Sequence, residues 1–339
     1  MHTGPVTTHI FIDGQEGTTG LQIHERLRER SDFTLLEIPA ERRKDPELKR
    51  ELLREADIAV LCLPDAAAIE TVRLAGPTTR LLDASTAHRV NPEWSYGLPE
   101  LDGEARDSIR NASKVANPGC WPTGFLLLVR PLIDAGLLPR DYPLSVHGQS
   151  GYSGGGKAMI AAFQQHLREG SSPAWTVRPY GLQLQHKHAP EMQRYALLQH
   201  APLFSPSVGD YYQGMLVQVP LHTRALSRRV RPEDVQAIYD ERYADERFVC
   251  VVPTGSTGTI AGLEQGCLSA TTLNGTNRVE LFVFGHADQL LLTARLDNLG
   301  KGASGAAVQN LNLMLGREES TSLEHGQETA AAPREGARA

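Results

Sequence analysis

The chain is poor in several features that would assign a class at once. Cysteine is sparse: Cys62, Cys120, Cys250 and Cys267 stand far apart and form no CxxC pair. That excludes a disulfide framework or a zinc ribbon and favours a reducing compartment, the cytoplasm. Basic charge is also lacking. The formal net charge is -6 with no dominant Lys/Arg cluster, which argues against nucleic acid as a partner. No apolar run approaches the roughly 20 residues that span a bilayer, so no membrane role is expected. No basic flank followed by a long apolar core opens the chain, so no secretory signal is expected. What remains is an ordinary globular composition over 339 residues, 40% hydrophobic and 22% charged, long enough for two domains and a large core.

The most informative stretch is Asn117-Pro118-Gly119-Cys120-Trp121-Pro122-Thr123. A small-residue run, Ser113-Lys114-Val115-Ala116, precedes it, and an apolar run, Gly124-Phe125-Leu126-Leu127-Leu128-Val129, follows. Pro122 suits the first turn of a helix, where its missing N–H costs nothing. Cys120 is therefore expected at or just before a helix N-terminus, where free N–H groups and the macrodipole favour an anion. Such a setting lowers a thiol pKa and makes the thiolate available at neutral pH. The plain alternative is a buried turn cysteine without chemistry.

Near the start, His9-Ile10-Phe11-Ile12-Asp13 reads as a strand and Leu21-Gln22-Ile23-His24-Glu25-Arg26-Leu27 as a helix. Between them lies Gly14-Gln15-Glu16-Gly17-Thr18-Thr19-Gly20, with the spacing G-x-x-G-x-x-G rather than the commoner G-x-G-x-x-G. Strand, glycine turn and helix are the context a dinucleotide fingerprint requires. The glycines let backbone N–H groups approach a pyrophosphate, and Thr18 and Thr19 offer hydroxyls to it. A second strand over 33–38 carries Glu37, which leaves NAD open, whereas Arg42 and Arg43 just beyond suit a 2′-phosphate and favour NADP. The apolar strand 57–63 and the strand 80–85 follow, Cys62 serving as core. Ligands bind beyond the carboxyl ends of such strands, so Pro64, Asp65, Ser85 and Thr86 fall near the cofactor by topology.

A second glycine-rich loop, Gly151-Tyr152-Ser153-Gly154-Gly155-Gly156-Lys157, enters a helix and offers another anion pocket. Two such loops imply two anionic ligands, a cofactor and a phosphorylated or carboxylated substrate, with Ser153, Gly154 and Lys157 on the substrate's phosphate. Gln185-His186-Lys187-His188-Ala189-Pro190-Glu191 supplies an imidazole for a thiol and a carboxylate to orient it. His186, His188 and His200 do not match a zinc spacing, so no metal is expected. Strands near 214–221, 248–252, 278–284 and 289–296 suggest a mostly antiparallel sheet. A small-residue turn, Asp297-Asn298-Leu299-Gly300-Lys301-Gly302-Ala303, leads to a closing helix over 306–315, where Asn310 is counted among the cofactor contacts.

The expected class is α/β: a Rossmann-type dinucleotide-binding domain plus an α+β catalytic domain. Residues 1–119 and 298–316 are assigned to the first, 120–297 to the second, and 317–339 to a disordered tail.

Taken together, the glycine turn, the Asn-Pro-Gly-Cys element, the 151–157 loop, the His-Lys-His-Ala-Pro-Glu run and Asp297–Ala303 resemble the N-acetyl-gamma-glutamyl-phosphate reductase family, more closely its shorter form. Its aspartate-semialdehyde dehydrogenase relatives share the architecture but carry Asn-Cys in place of Pro-Gly-Cys. The resemblance implies NADPH-dependent reduction of an acyl phosphate to a semialdehyde through a thioester on Cys120, in arginine biosynthesis. It places the acid/base on His188, with His186 as the alternative. It also implies a homo-oligomer, a dimer or tetramer. The Cys120 N–H and Gln149 are candidates to stabilise the oxyanion. Aspartyl phosphate as substrate, or a silent NADP-binding regulator, are the rival readings.

Overall fold

Short strands that are apolar on both faces build the first unit, as a sheet covered on two sides requires. In chain order it runs β1 (Thr8–Asp13), α1 (Thr18–Leu27), β2 (Phe33–Leu36), α2 (Pro46–Glu55), β3 (Ile58–Leu61), α3 (Asp65–Leu74), β4 (Arg80–Asp83), β5 (Ser95–Tyr96), α4 (Ala105–Asn111) and β6 (Lys114–Ala116). The computed structural model describes residues 8–43, 45–170, 175–254, 263–264 and 266–323. β3 is buried at every position, and Ile10, Phe11 and Ile12 of β1 are buried beside it. All pairings are parallel, in the order β2-β1-β3-β4-β6-β5. The order reverses between β1 and β3, so the crevice there opens beside the glycine turn.

α5 (Cys120–Asp134) starts the second unit and is buried without a break from Trp121 to Val129. A helix apolar on all sides needs covering on all sides. After it come β7 (Ser145–Gly151), α6 (Gly156–Arg168), β8 (Val177–Pro179), α7 (Ala189–Tyr195), β9 (Leu203–Gly209), β10 (Met215–His222), α8 (Pro232–Arg242), β11 (Val249–Val251), β12 (Leu263–Glu264), β13 (Cys267–Leu268), β14 (Val279–His286) and β15 (Gln289–Leu296). β10 and β15 pack under α5, with α7 and α8 against its flanks.

The large sheet runs β11-β14-β15-β10-β7-β9-β8. It is mixed, which corrects the mostly antiparallel sheet expected from the sequence. β14 and β15 are joined by a tight hairpin and run antiparallel, but β7 with β9 and β11 with β14 are parallel. The connection from β7 to β9 carries α6 and α7, and a link of that length returns the chain in the same direction.

After β15 a π-helical stretch, Gly300–Ser304, leads into α9 (Gly305–Met314), buried at every residue. α9 rejoins the first unit: Val308 and Leu311 pack among Ile12, Val60 and Leu82.

The expected disordered tail is corrected in its first part. Asn312 Nδ2 donates to the carbonyls of Glu319 and Thr321 at 3.0 and 2.9 Å. Glu319 accepts from Gln309 and Arg106, and Leu323 is buried in the first unit's core. The buried amides of α9 need partners, and residues 317–323 supply them. Residues 324–339 lie outside the described residues. Truncating the buried Leu323→Ala should lower unfolding free energy by about 2–3 kcal/mol, measured by urea denaturation. A loss under about 0.5 kcal/mol, the level of a surface change, would show that the segment is not docked.

Candidate active site

The site is assembled from the carboxyl end of β4. The Asp83 carboxylate accepts from the Ser85 N–H at 2.9 Å and the Ser85 hydroxyl at 2.7 Å, and pairs with His88 Nδ1 at 2.6 Å. These contacts turn the chain sharply and deliver Arg89 toward the second unit. Its guanidinium is nearly buried, donating from Nε to the Asn117 carbonyl at 2.9 Å and from Nη2 to the Ala84 carbonyl at 3.1 Å. Nη1 lies 3.0 Å from His188 Nε2 and 3.4 Å from Glu191 Oε2.

Cys120 is the first residue of α5, with Gly119 at the N-cap and Pro122 in the first turn. Glu191 Oε1 accepts from the Gly119 N–H at 2.8 Å and the Tyr96 hydroxyl at 2.7 Å. The approach is close: a Cβ on Gly119 would collide with Arg89 and His188. Glu191 thus reaches the imidazole through Arg89 and the backbone, rather than by binding the ring as the sequence suggested. Gly302 of the π-helical stretch lies against the Cys120 Cβ.

The expected lowering of the thiol pKa is reversed here. Burial pushes the Cys120 thiol up to about 11, and the Arg89 charge and the Trp121 N–H only partly oppose it. Burial, then the Arg89 charge, push His188 well below its usual range, so the imidazole is neutral. A guanidinium only donates, so His188 Nε2 accepts from Arg89 and the ring proton sits on Nδ1. That Nδ1 is buried with no partner among the described residues.

Cys120, His188, His186, Arg89 and Asn117 line one cavity of about 400 Å³. Thr18 and Thr19 of the glycine turn line it too, as do Ser153 and Gly154. Both catalytic candidates, Cys120 and His188, therefore meet the substrate loop and the glycine turn.

The family model described as semialdehyde dehydrogenase, dimerisation domain, matches residues 120–298. The N-acetyl-gamma-glutamyl-phosphate reductase of Burkholderia cenocepacia is 51% identical over 91% of this chain and 97% of its own. N-acetyl-gamma-glutamyl-phosphate reductase 2 of Pseudomonas putida is 50% identical over 93% and 98%. The chain belongs to the N-acetyl-gamma-glutamyl-phosphate reductase family. Aspartate semialdehyde dehydrogenases share its fold: that of Francisella tularensis aligns with TM-score 0.68 at 14% identity, covering 91% of this chain and 100% of the other. The enzyme II of Vibrio cholerae aligns with TM-score 0.65 at 18% identity, over 91% and 99%.

The first unit of this family member fits a dinucleotide. Gly14 has φ +88°, and a Cβ there would strike the Cys62 carbonyl. Gly17 N-caps α1 with no side-chain cap, leaving the helix's first N–H groups to a ligand. Gly20 packs on the Gly14 carbonyl, and Gln15 is half-buried in the same turn. Beyond β2, Arg42 bonds Asp45 Oδ2 at 2.6 Å and Arg43 pairs with Glu16 of the turn, both exposed.

Other expected residues stand apart from the cavity. Pro64 is exposed at the start of α3, and Ser85 is buried and bonded to Asp83. Asn310 is fully buried, donating to the Gly97 carbonyl and Asn117 Oδ1, so it braces the Asn117 turn. Gln149 is exposed on the face of β7 opposite Gly148 and Ser150, which point toward α5 and the cavity; strand alternation removes it as an oxyanion donor. Lys157 is exposed on α6 and does not line the cavity. The N–H groups of Tyr152 and Ser153 bond the Tyr211 and Tyr212 carbonyls, which removes them from the expected anion pocket.

Arg89 is the residue that sequence reading passed over. Its signal was its place just beyond the carboxyl end of a parallel strand, in the loop that already held Ser85 and Thr86. With a half-buried thiol of pKa about 11, alkylation at the Cys120 peptide by iodoacetamide should rise about tenfold per pH unit from about pH 7 to 10 in the ligand-free protein. A plateau already reached near neutrality would contradict a protonated resting thiol.

Proposed function

We propose that the chain catalyses NADPH-dependent reduction of N-acetyl-gamma-glutamyl phosphate to N-acetylglutamate 5-semialdehyde and phosphate, through a thioester on Cys120. The observation that carries this reading is the convergence of Cys120, His188 and Arg89 on one cavity with Thr18 and Thr19, in a chain half identical to reductases of that name. Arg42 and Arg43 beyond β2 support NADPH over NADH. Residues 1–119 with 298–316 hold the nucleotide, and 120–297 carry the chemistry and assembly. The matched dimerisation domain supports a homo-oligomer, read here as a cytoplasmic dimer or tetramer.

The resting state of the site dictates the order of events. Thiol and imidazole are both neutral, so the proton must move when substrate arrives. The acyl phosphate brings negative charge to the buried Arg89 guanidinium, which turns to it and releases His188 Nε2. The freed Nε2 takes the Cys120 proton, and the thiolate attacks the acyl carbon. The carbon–oxygen bond to phosphate breaks, and phosphate leaves with the bonding pair. The thioester carbonyl oxygen lies near the α5 N-terminus, whose N–H groups and macrodipole stabilise negative charge on it. Bound NADPH supplies the hydride for the thioester carbon. His188, now cationic, protonates the oxygen of the thiohemiacetal on Cys120. It takes that proton back as the carbon–sulfur bond breaks and the aldehyde leaves. Ser153 and Gly154 face the same cavity and are assigned to the phosphate.

NADPH oxidation should be rapid with N-acetyl-gamma-glutamyl phosphate and slow with β-aspartyl phosphate or with NADH. Cys120→Ser should abolish turnover while NADPH binding, read by fluorescence titration, persists. His188→Asn should lower kcat by about 10²–10⁴. Turnover retained without the thiol rejects the covalent route, and a preference for aspartyl phosphate rejects the substrate.

A further inference from the structure

Two side chains on the cavity wall have their acceptor atoms engaged inside the protein and their protons unclaimed. The Tyr180 hydroxyl oxygen accepts from Trp121 Nε1 at 3.2 Å. His186 Nδ1 accepts from the His188 backbone N–H at 3.2 Å. A neutral imidazole holds one proton, so that of His186 is on Nε2. Burial, aided by the Lys187 charge, pushes this ring down to about 4, so it stays neutral at working pH. Among the described residues neither the Tyr180 O–H nor the His186 Nε2–H has an acceptor. Their rings touch edge to face with centroids 5.9 Å apart, and both line the cavity that holds Cys120. The pair is therefore a two-pronged donor site that carries no charge.

Three kinds of ligand group compete for such a site. An ammonium needs acceptors and would meet only donors. A phosphate dianion is matched by the Arg89 cation on the same cavity. An uncharged carbonyl oxygen suits two neutral donors, and the surroundings favour one bearing a methyl group. Tyr180 packs against the Tyr152, Phe163 and Val208 cluster, Trp121 adjoins it, and Met159 and Val208 line the same cavity, so the wall next to the donors is apolar.

We infer that Tyr180 and His186 form the subsite for the substrate's acetamido group, donating to its amide oxygen while its methyl rests on the apolar wall. This rests on the N-acetylated substrate proposed above. The subsite discriminates by chemistry: a free amino group at the same position would leave both donors without an acceptor once substrate covers them, which costs more than the bonds themselves contribute.

The test runs the reaction backward, with NADP and phosphate, on two aldehydes: N-acetylglutamate semialdehyde and 5-oxopentanoate, which lacks the acetamido group. The wild type should prefer the acetylated aldehyde in kcat/KM. In Tyr180→Phe, and separately in His186→Phe, that preference should fall about tenfold. Any general cost of either change cancels in the ratio, and Tyr180→Phe keeps the packed ring. A ratio held within about twofold, the two aldehydes slowing together, overturns the subsite and leaves the reductase reading standing. A wild type that oxidises neither aldehyde overturns both.

Discussion

The site hangs on one buried cation. Arg89 leaves the first unit at β4 and ends between the Asn117 carbonyl, His188 and Glu191. A guanidinium removed from water is costly unless its donors and its charge are both matched. Two backbone carbonyls, an imidazole and a carboxylate match it here, and they come from both units. Glu191 in turn holds the Gly119 N–H, the residue before the thiol. The position of Cys120 is thus tied to the charge balance of Arg89 and Glu191. Removing either partner would strand the other as a buried charge.

The same burial explains the chemistry of rest. A helix N-terminus favours a thiolate, but the apolar shell over α5 favours a thiol, and burial wins by raising the pKa to about 11. The neutral His188 follows from the same desolvation plus the neighbouring guanidinium. In the proposed mechanism the thiol ionises only when substrate draws the guanidinium away, which would protect it from oxidants between turnovers. Binding and activation would then be one event, because the same cation would serve the phosphate and the imidazole.

A second polar scaffold stands behind the thiol. Lys301 and Glu100 are fully buried and bonded at 2.7 Å, with Gln309 bonding both. Lys301 lies in the π-helical stretch, a geometry that departs from regular helix and recurs at functional sites. The pair fixes that stretch where Gly302 backs Cys120. Separately, Asn310 Nδ2 donates to Asn117 Oδ1, and Asn117 Nδ2 donates to the Ala303 carbonyl of the π-helical stretch. These buried amides brace the turn that carries Cys120.

Local order in the chain is enough to foresee what depends on neighbours in sequence. The β1, glycine turn and α1 unit, the helix beginning at Cys120 and the Asp45 cap before Pro46 follow from dihedral freedom, periodicity and capping, which act within a few residues. The cysteine motif and the His-Lys-His-Ala-Pro-Glu run were legible for the same reason. Other features required distant groups to meet. Arg89 reaches a histidine 99 positions away. The face of Gln149 depended on strand register, the direction of β9 on the long crossover, and the docking of residues 317–323 on the buried amides of α9. The thiol's ionisation was decided last, because desolvation is a property of everything packed around an atom, and no stretch of sequence contains it.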